Sequence, residues 1–215
     1  MSKIRKKNNL VILGGWTRKR ESYQKLIDTA PSNWTIHVPS YQYLMPYKGI
    51  EFFQKRFAEY LSKNNLENII LLGHSLGGGL AIHFASSNGR SLKKLFIVSS
   101  KGLYDSESLI EGFKRILREH KKLTFIDSLN DFLRTIGNPV LNFRLALLAH
   151  SFEARKEAKK INIPTSIIWG KEDRMTPLSY GEALRKLIKN SKLFVIKDAG
   201  HNWILTSPEY FWENV

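Results

Sequence analysis

Apolar positions along the chain fall into two recurring patterns. Short continuous apolar runs that close on glycine, proline or serine predict strands at Asn9–Gly15, Trp34–Tyr41, Asn68–Gly73, Lys93–Ser100, Ile163–Gly170 and Ser191–Gly200. Between them, apolar residues recur at helical spacing. Tyr23, Leu26, Ile27 and Ala30 form one stripe, stopped by Pro31, and Phe53, Phe57, Tyr60 and Leu61 form another. Thr176-Pro177 and Ser207-Pro208 read as an N-cap followed by a first-turn proline, each opening a late helix. Continuous apolar strands are buried on both faces, and intervening helices imply parallel crossovers. The expected architecture is an α/β, mostly parallel, doubly wound sheet of about six strands. The stretch from Lys101 to Lys160 breaks the alternation with helical patterns and no strand. It is expected to be a helical insertion over one end of the sheet, dividing the chain into a core of residues 1–100 and 161–215 and a cap of residues 101–160.

A chain of 215 residues with 42% hydrophobic residues suits one such domain. There is no cysteine, which excludes disulfides and thiolate metal or redox sites. Lys plus Arg number 34 against 19 Asp plus Glu, a net charge of +15. That balance favours an anionic partner of some kind, or simply a solvated lysine-rich surface. The basic start resembles a signal peptide, but its apolar run is only Leu10 to Leu13 and no small-residue cleavage site follows. No stretch is apolar for the ~18 residues of a membrane span, so a cytoplasmic protein is expected.

The segment Ile70–Phe84, "ILLGHSLGGGLAIHF", carries the first chemistry. Gly73-His74-Ser75-Leu76-Gly77 fits G-x-S-x-G, and it stands where a strand stops and a helix starts, as a nucleophile elbow requires. The turn lifts Ser75 above the sheet, and the elbow glycines Gly73 and Gly77 let strand and helix approach closely. A phosphate-binding loop is the competing reading, but the Lys-Ser/Thr of a P-loop is missing.

A serine hydroxyl needs a base, and the base needs an orienting acid. In a chain with this elbow the acid and the histidine follow in that order. "WGKEDRMTP" after the fifth strand supplies Asp173, and "DAGHNW" after the sixth supplies His201. Glu172, Asp198 and Asp105 are the other candidates for the acid, with Asp198 expected to cap its own turn. His201 is the one of six histidines in a loop just after a late strand. A tetrahedral intermediate also needs two N–H donors: the amide of Leu76, after the serine, and one from the Gly14-Gly15-Trp16 loop after the first strand.

With these residues in place, the chain resembles small capped carboxylesterases of the α/β-hydrolase superfamily. "LGGW", "GHSLGG", "WGKEDRMTP" and "AGHNW" fall in that family's order over nearly the whole chain. The resemblance implies Ser75 as nucleophile, His201 as base, Asp173 as its acid, and the Trp16 and Leu76 amides as the oxyanion hole, with no cofactor and no metal. Gly14 stands where the family usually has histidine, and the early antiparallel strands are missing. The expected activity is hydrolysis of a carboxylic ester or thioester. A C–C bond hydrolase, an iminopeptidase or a non-enzymatic ligand-binding relative remain alternatives.

The expected partner is a small-molecule acyl ester, not nucleic acid. The family includes esterases acting on acyl chains carried by acyl carrier protein. Arg18, Lys19 and Arg20 by the first loop, and Lys114, Arg115, Arg118, Lys121, Lys122, Arg155, Lys156, Lys159 and Lys160 in the insertion, would suit an anionic substrate or such an acidic carrier. Phe113, Leu117, Phe125, Leu129, Phe132, Phe143 and Leu147 of the insertion would line an acyl pocket or pack the cap against itself.

Overall fold

The computed structural model describes residues 7–45, 49–103, 137–151 and 153–215. Six strands, β1 (Asn8–Leu13), β2 (Trp34–His37), β3 (Ile69–His74), β4 (Leu92–Val98), β5 (Thr165–Gly170) and β6 (Ser191–Ile196), form one sheet in the order β2-β1-β3-β4-β5-β6. Every neighbouring pair is parallel. The strands follow the apolar runs because successive side chains enter opposite faces and both faces are covered. Val11, Leu13, Leu71, Leu95 and Ile97 join one hydrophobic cluster, while Leu10, Ile12, Ile70, Leu72 and Phe96 join the other.

The first face carries α2 (Tyr41–Leu44), α3 (Ile50–Lys63) and α4 (Leu76–Asn88). The α3 stripe buries Phe53, Phe57 and Leu61, with Tyr60 half-buried. α4 is the central helix, buried almost all round from Leu76 to Ala85. Beyond β4 come α5 (Pro139–Ser151), the single turn α6 (Arg155–Ala158) and, after β5, α7 (Leu178–Leu187). The other face is covered by a 3₁₀ turn (Arg20–Tyr23), α1 (Gln24–Asp28), and the short C-terminal helices α8 (Trp203–Thr206) and α9 (Glu209–Trp212).

The boundaries differ from expectation where side chains have other employment. The first helical stripe begins as a 3₁₀ turn and ends at Asp28, with Tyr23 and Leu26 buried and Ile27 and Ala30 only half-buried. Pro177, not Thr176, is the N-cap of α7, and Pro208 caps α9. The Thr176 hydroxyl is drawn instead into the bonds of the site described below.

The strand order reverses between β1 and β3, because β1 is followed in space by β2 on one side and β3 on the other. A crevice opens beyond the carboxyl ends of the strands at such a reversal, and it is the usual ligand position in an open α/β sheet. Of the expected cap, residues 104–136 and 152 lie outside the described residues. With them go the candidate acid Asp105, the basic residues from Lys114 to Lys122, and the candidate pocket residues Phe113, Leu117, Phe125, Leu129 and Phe132.

Candidate active site

Ser75 sits between β3 and α4 with φ 55° and ψ −121°, a positive-φ backbone that a non-glycine residue rarely adopts. The surroundings hold it there. Its N–H donates to the Val98 carbonyl at 3.1 Å, and its own carbonyl accepts from the Gly78 and Lys101 amides, each at 2.9 Å. The flanking glycines are required by close approach. A Cβ on Gly77 would lie 2.0 Å from the Leu13 carbonyl oxygen, and one on Gly73 would lie 2.5 Å from the Gly77 carbonyl oxygen.

The Ser75 hydroxyl meets His201 Nε2 at 2.9 Å, although the two residues are 126 positions apart in the chain. His201 Nδ1 lies 2.9 Å from Asp173 Oδ2 and 3.1 Å from Oδ1. Asp173 is buried on the loop after β5 and well supplied with donors. Its Oδ1 accepts from the Met175 and Thr176 amides at 2.9 and 2.8 Å, and its Oδ2 lies 2.8 Å from the Thr176 hydroxyl. Burial pushes the Asp173 carboxyl up, but the charge and hydrogen bond of His201, with the Thr176 donors, outweigh it and hold it below its ordinary value of 3.8. The carboxylate is therefore ionised, and it selects the His201 tautomer with hydrogen on Nδ1 and a free electron pair on Nε2 facing Ser75. Trp169, fully buried in β5, donates its indole N–H to the Thr176 carbonyl at 2.7 Å and anchors the loop that presents Asp173.

The other candidate acids among the described residues stand apart. Glu172 is exposed, and Asp198 is exposed at a turn with φ 56°.

The loop after β1 closes the site from the other side. The Gly14 carbonyl accepts from the Gly77 amide at 3.1 Å and from the Tyr41 hydroxyl. The Gly15 amide donates to the Tyr23 hydroxyl at 3.1 Å. Among the described residues, the backbone amides of Trp16 and Leu76 have no acceptor, and Leu76 is fully buried. Leu76 opens α4, and the unspent amides at a helix N-terminus favour negative charge. The Trp16 indole donates to the Asn142 carbonyl at 3.1 Å, linking this loop to α5.

His74 is legible in the sequence only as the variable position of G-x-S-x-G, yet it is buried directly beneath the site. Its Nδ1 lies 2.9 Å from the Tyr23 hydroxyl and its Nε2 lies 3.3 Å from the His201 carbonyl oxygen. Burial first, and the neighbouring His201 second, push its pKa down from 6.5 to about 3, so it is neutral at any working pH.

Arg18, Lys19 and Arg20 line a cavity of about 300 Å³ between the β1 loop, the Val38–Gln42 segment and the residues Asn138, Leu141, Asn142 and Leu145. Two later basic residues of the expected cap, Lys160 and Arg155, are placed otherwise. Lys160 lies beside Gly89, Ser91 and Ile163, at the amino ends of β4 and β5 and away from Ser75, and Arg155 pairs with Glu153. Phe143 and Leu147 are exposed on α5, at 65% and 45%. Neither is buried in a pocket or in cap packing among the described residues.

A doubly wound parallel sheet with a serine at a strained strand-to-helix turn, met by a histidine and a carboxylate from later loops, has the architecture of the α/β hydrolases. The chain belongs to that family: residues 46–213 match the alpha/beta hydrolase family. It is thus an enzyme of the hydrolase class, and esterases are among its relatives. It is 29% identical over 166 residues to the AB hydrolase superfamily protein YisY of Bacillus subtilis, a match covering 63% of this chain and only 60% of that protein's length. It is 22% identical over 233 residues to a pimeloyl-[acyl-carrier protein] methyl ester esterase of Vibrio vulnificus, covering 94% of this chain and 91% of the relative. Among solved structures, the bromoperoxidase of Bacillus anthracis superposes with a TM-score of 0.83 at 24% identity, over 97% of this chain and 90% of that one. No helix among the described residues is long and apolar enough to cross a membrane.

Proposed function

We propose that the protein is a serine hydrolase that cleaves a carboxylic ester or thioester through an acyl-enzyme. The observation that carries this reading is the continuous chain from the Ser75 hydroxyl to His201 Nε2 and from His201 Nδ1 to Asp173, each link at 2.9 Å. Ser75 Oγ attacks the acyl carbon while its proton passes to His201 Nε2. The carbonyl oxygen becomes an oxyanion and accepts from the Trp16 and Leu76 amides. As the intermediate collapses, the bond to the alcohol or thiol breaks, and that leaving group takes the proton from His201. Water then gives a proton to His201 as its oxygen attacks the acyl carbon. On collapse the bond to Ser75 Oγ breaks, Oγ takes that proton back from His201, and the acid is released. Asp173, held anionic by its donors, keeps the imidazole oriented and stabilises its cationic form.

Within this reading, residues 1–100 and 161–215 form the catalytic core and residues 101–160 the cap that selects the substrate. The finer identity is an anionic acyl ester, or one carried by an acidic acyl carrier protein. Support comes from the charge of +15, the basic Arg18–Arg20 wall of the cavity beside the β1 loop, and the carrier-dependent ester named for the Vibrio relative. The direct test is covalent labelling with a fluorophosphonate, coupled to a screen of short and medium acyl p-nitrophenyl esters. Wild type is expected to label and to turn over, and Ser75→Ala is expected to do neither, with turnover down by about 10⁴–10⁶ while folding is kept. An alanine variant retaining a tenth of the activity overturns the assignment.

A further inference from the structure

Tyr23 and His74 form a buried polar link that the chemistry above does not use. We propose that they are positioning residues, tying the Gly14–Gly15 peptide of the oxyanion loop to the main chain of His201. The inference rests on the hydrolase reading just given.

The link has one direction, fixed by donor count. The Gly15 amide can only donate, so the Tyr23 oxygen accepts from it at 3.1 Å. The His201 carbonyl can only accept, so the neutral His74 ring must keep Nδ1 as an acceptor, and it takes the Tyr23 proton from 2.9 Å away. With Nδ1 accepting, the neutral imidazole carries its hydrogen on Nε2, which donates to the His201 carbonyl at 3.3 Å. Tyr23 is fully buried and His74 is 1% exposed, so water offers no substitute for either bond.

The consequence is geometric. The amides of the oxyanion loop follow β1, the serine follows β3, and the base follows β6, three strands further along the sheet. Asp173 anchors the imidazole ring of His201, and the His74 link anchors its main chain. At the other end, the Gly14–Gly15 peptide is held at its carbonyl by Gly77 and Tyr41 and at its N–H by Tyr23. The next amide, of Trp16, is thereby left aimed with no acceptor of its own among the described residues. A peptide fixed at both ends needs no reorganisation when the oxyanion forms, which is where preorganised donors act.

Tyr23→Phe and His74→Leu each cut the link, and the double variant tests whether it acts as one unit. The probes are a neutral p-nitrophenyl ester and an alkyl boronic acid, whose serine adduct carries the tetrahedral oxyanion. Tyr23→Phe is expected to lower kcat and boronate affinity in parallel by about tenfold, the scale of one buried hydrogen bond, with KM within about twofold. The double variant is expected to lose no more than the worse single one. Phe211→Leu, in the core of the same face, serves as a variant of comparable stability loss and is expected to leave boronate affinity intact. Unchanged kcat in Tyr23→Phe, a loss in KM alone, boronate affinity that does not follow kcat, the same pattern in Phe211→Leu, or additive losses in the double variant each overturn the proposal. A wild-type enzyme that neither turns over esters nor binds the boronate overturns the hydrolase reading instead, a result seen before any variant is made.

Discussion

His74 shows how one residue's surroundings set its chemistry. An ordinary imidazole changes charge near pH 6.5, but this one is held neutral down to about pH 3 by burial and by its neighbour His201. The unfolded chain therefore binds a proton that the folded chain refuses between those two values. Stability contributed by keeping His74 neutral is full above pH 6.5 and is lost as pH falls toward 3. The Asp173 carboxylate, held below 3.8, adds a loss of the same sign only below that value. Urea unfolding between about pH 7 and 4 is expected to show wild type losing stability with acid by up to about 1.4 kcal/mol per pH unit more than His74→Asn. Parallel pH slopes for the two proteins would show that His74 titrates freely in the folded state.

The elbow between β3 and α4 is the element on which the site depends. Three consecutive glycines, Gly77 to Gly79, open α4, although glycine in a helix costs about 1 kcal/mol relative to alanine. Contact explains the first two: β1 passes so close to α4 that a methyl group on Gly77 would overlap the Leu13 carbonyl, and one on Gly78 would overlap the Ser100 side chain. Gly77→Ala is expected to destabilise by about 2–4 kcal/mol, because backbone and not a flexible side chain stands in the way. Gly89, just past the end of α4, has right-handed angles, and a methyl there meets only Ile163 Cγ2 at 3.4 Å. Gly89→Ala is expected to leave the melting temperature within a few degrees. Thermal melts of the two variants make the comparison, and an equal shift in both would remove close approach as the reason for the elbow glycines.

Across the protein as a body, the positive charge is uneven in its use. Lys160 lies by the amino ends of the strands, whereas Arg18, Lys19 and Arg20 line a cavity beside the β1 loop. Steering of an anionic substrate acts over about one Debye length, roughly 8–10 Å in moderate salt. For an anionic ester, kcat/KM is expected to fall several-fold between low salt and ~0.3 M salt, while a neutral ester of the same size barely responds. Stopped-flow or steady-state rates across that range provide the measurement. Equal responses from both esters would leave the basic surface with no part in substrate capture.

The alternation of strands and helices is legible in the chain alone, because runs buried on both faces of a parallel sheet must be continuously apolar. Ser75, Asp173 and His201 are marked there as candidates too, since turn glycines and loop positions after strands are local signals. Strand ends are less legible: β2, expected to reach Tyr41, stops at His37, and Ser40 caps a new helical turn through the Gln42 amide. What the three candidates touch is settled only once the sheet is assembled. The bond from His201 to Ser75 spans 126 positions and the link from His74 to Tyr23 spans 51, and neither leaves a periodic trace in the chain. For the same reason Thr176 reads as a helix cap in one dimension, while in three its hydroxyl lies within bonding distance of Asp173, the Ser99 carbonyl and His201. Hydrophobic patterning is written residue by residue, but a polar group's partner depends on which strands the fold has brought together.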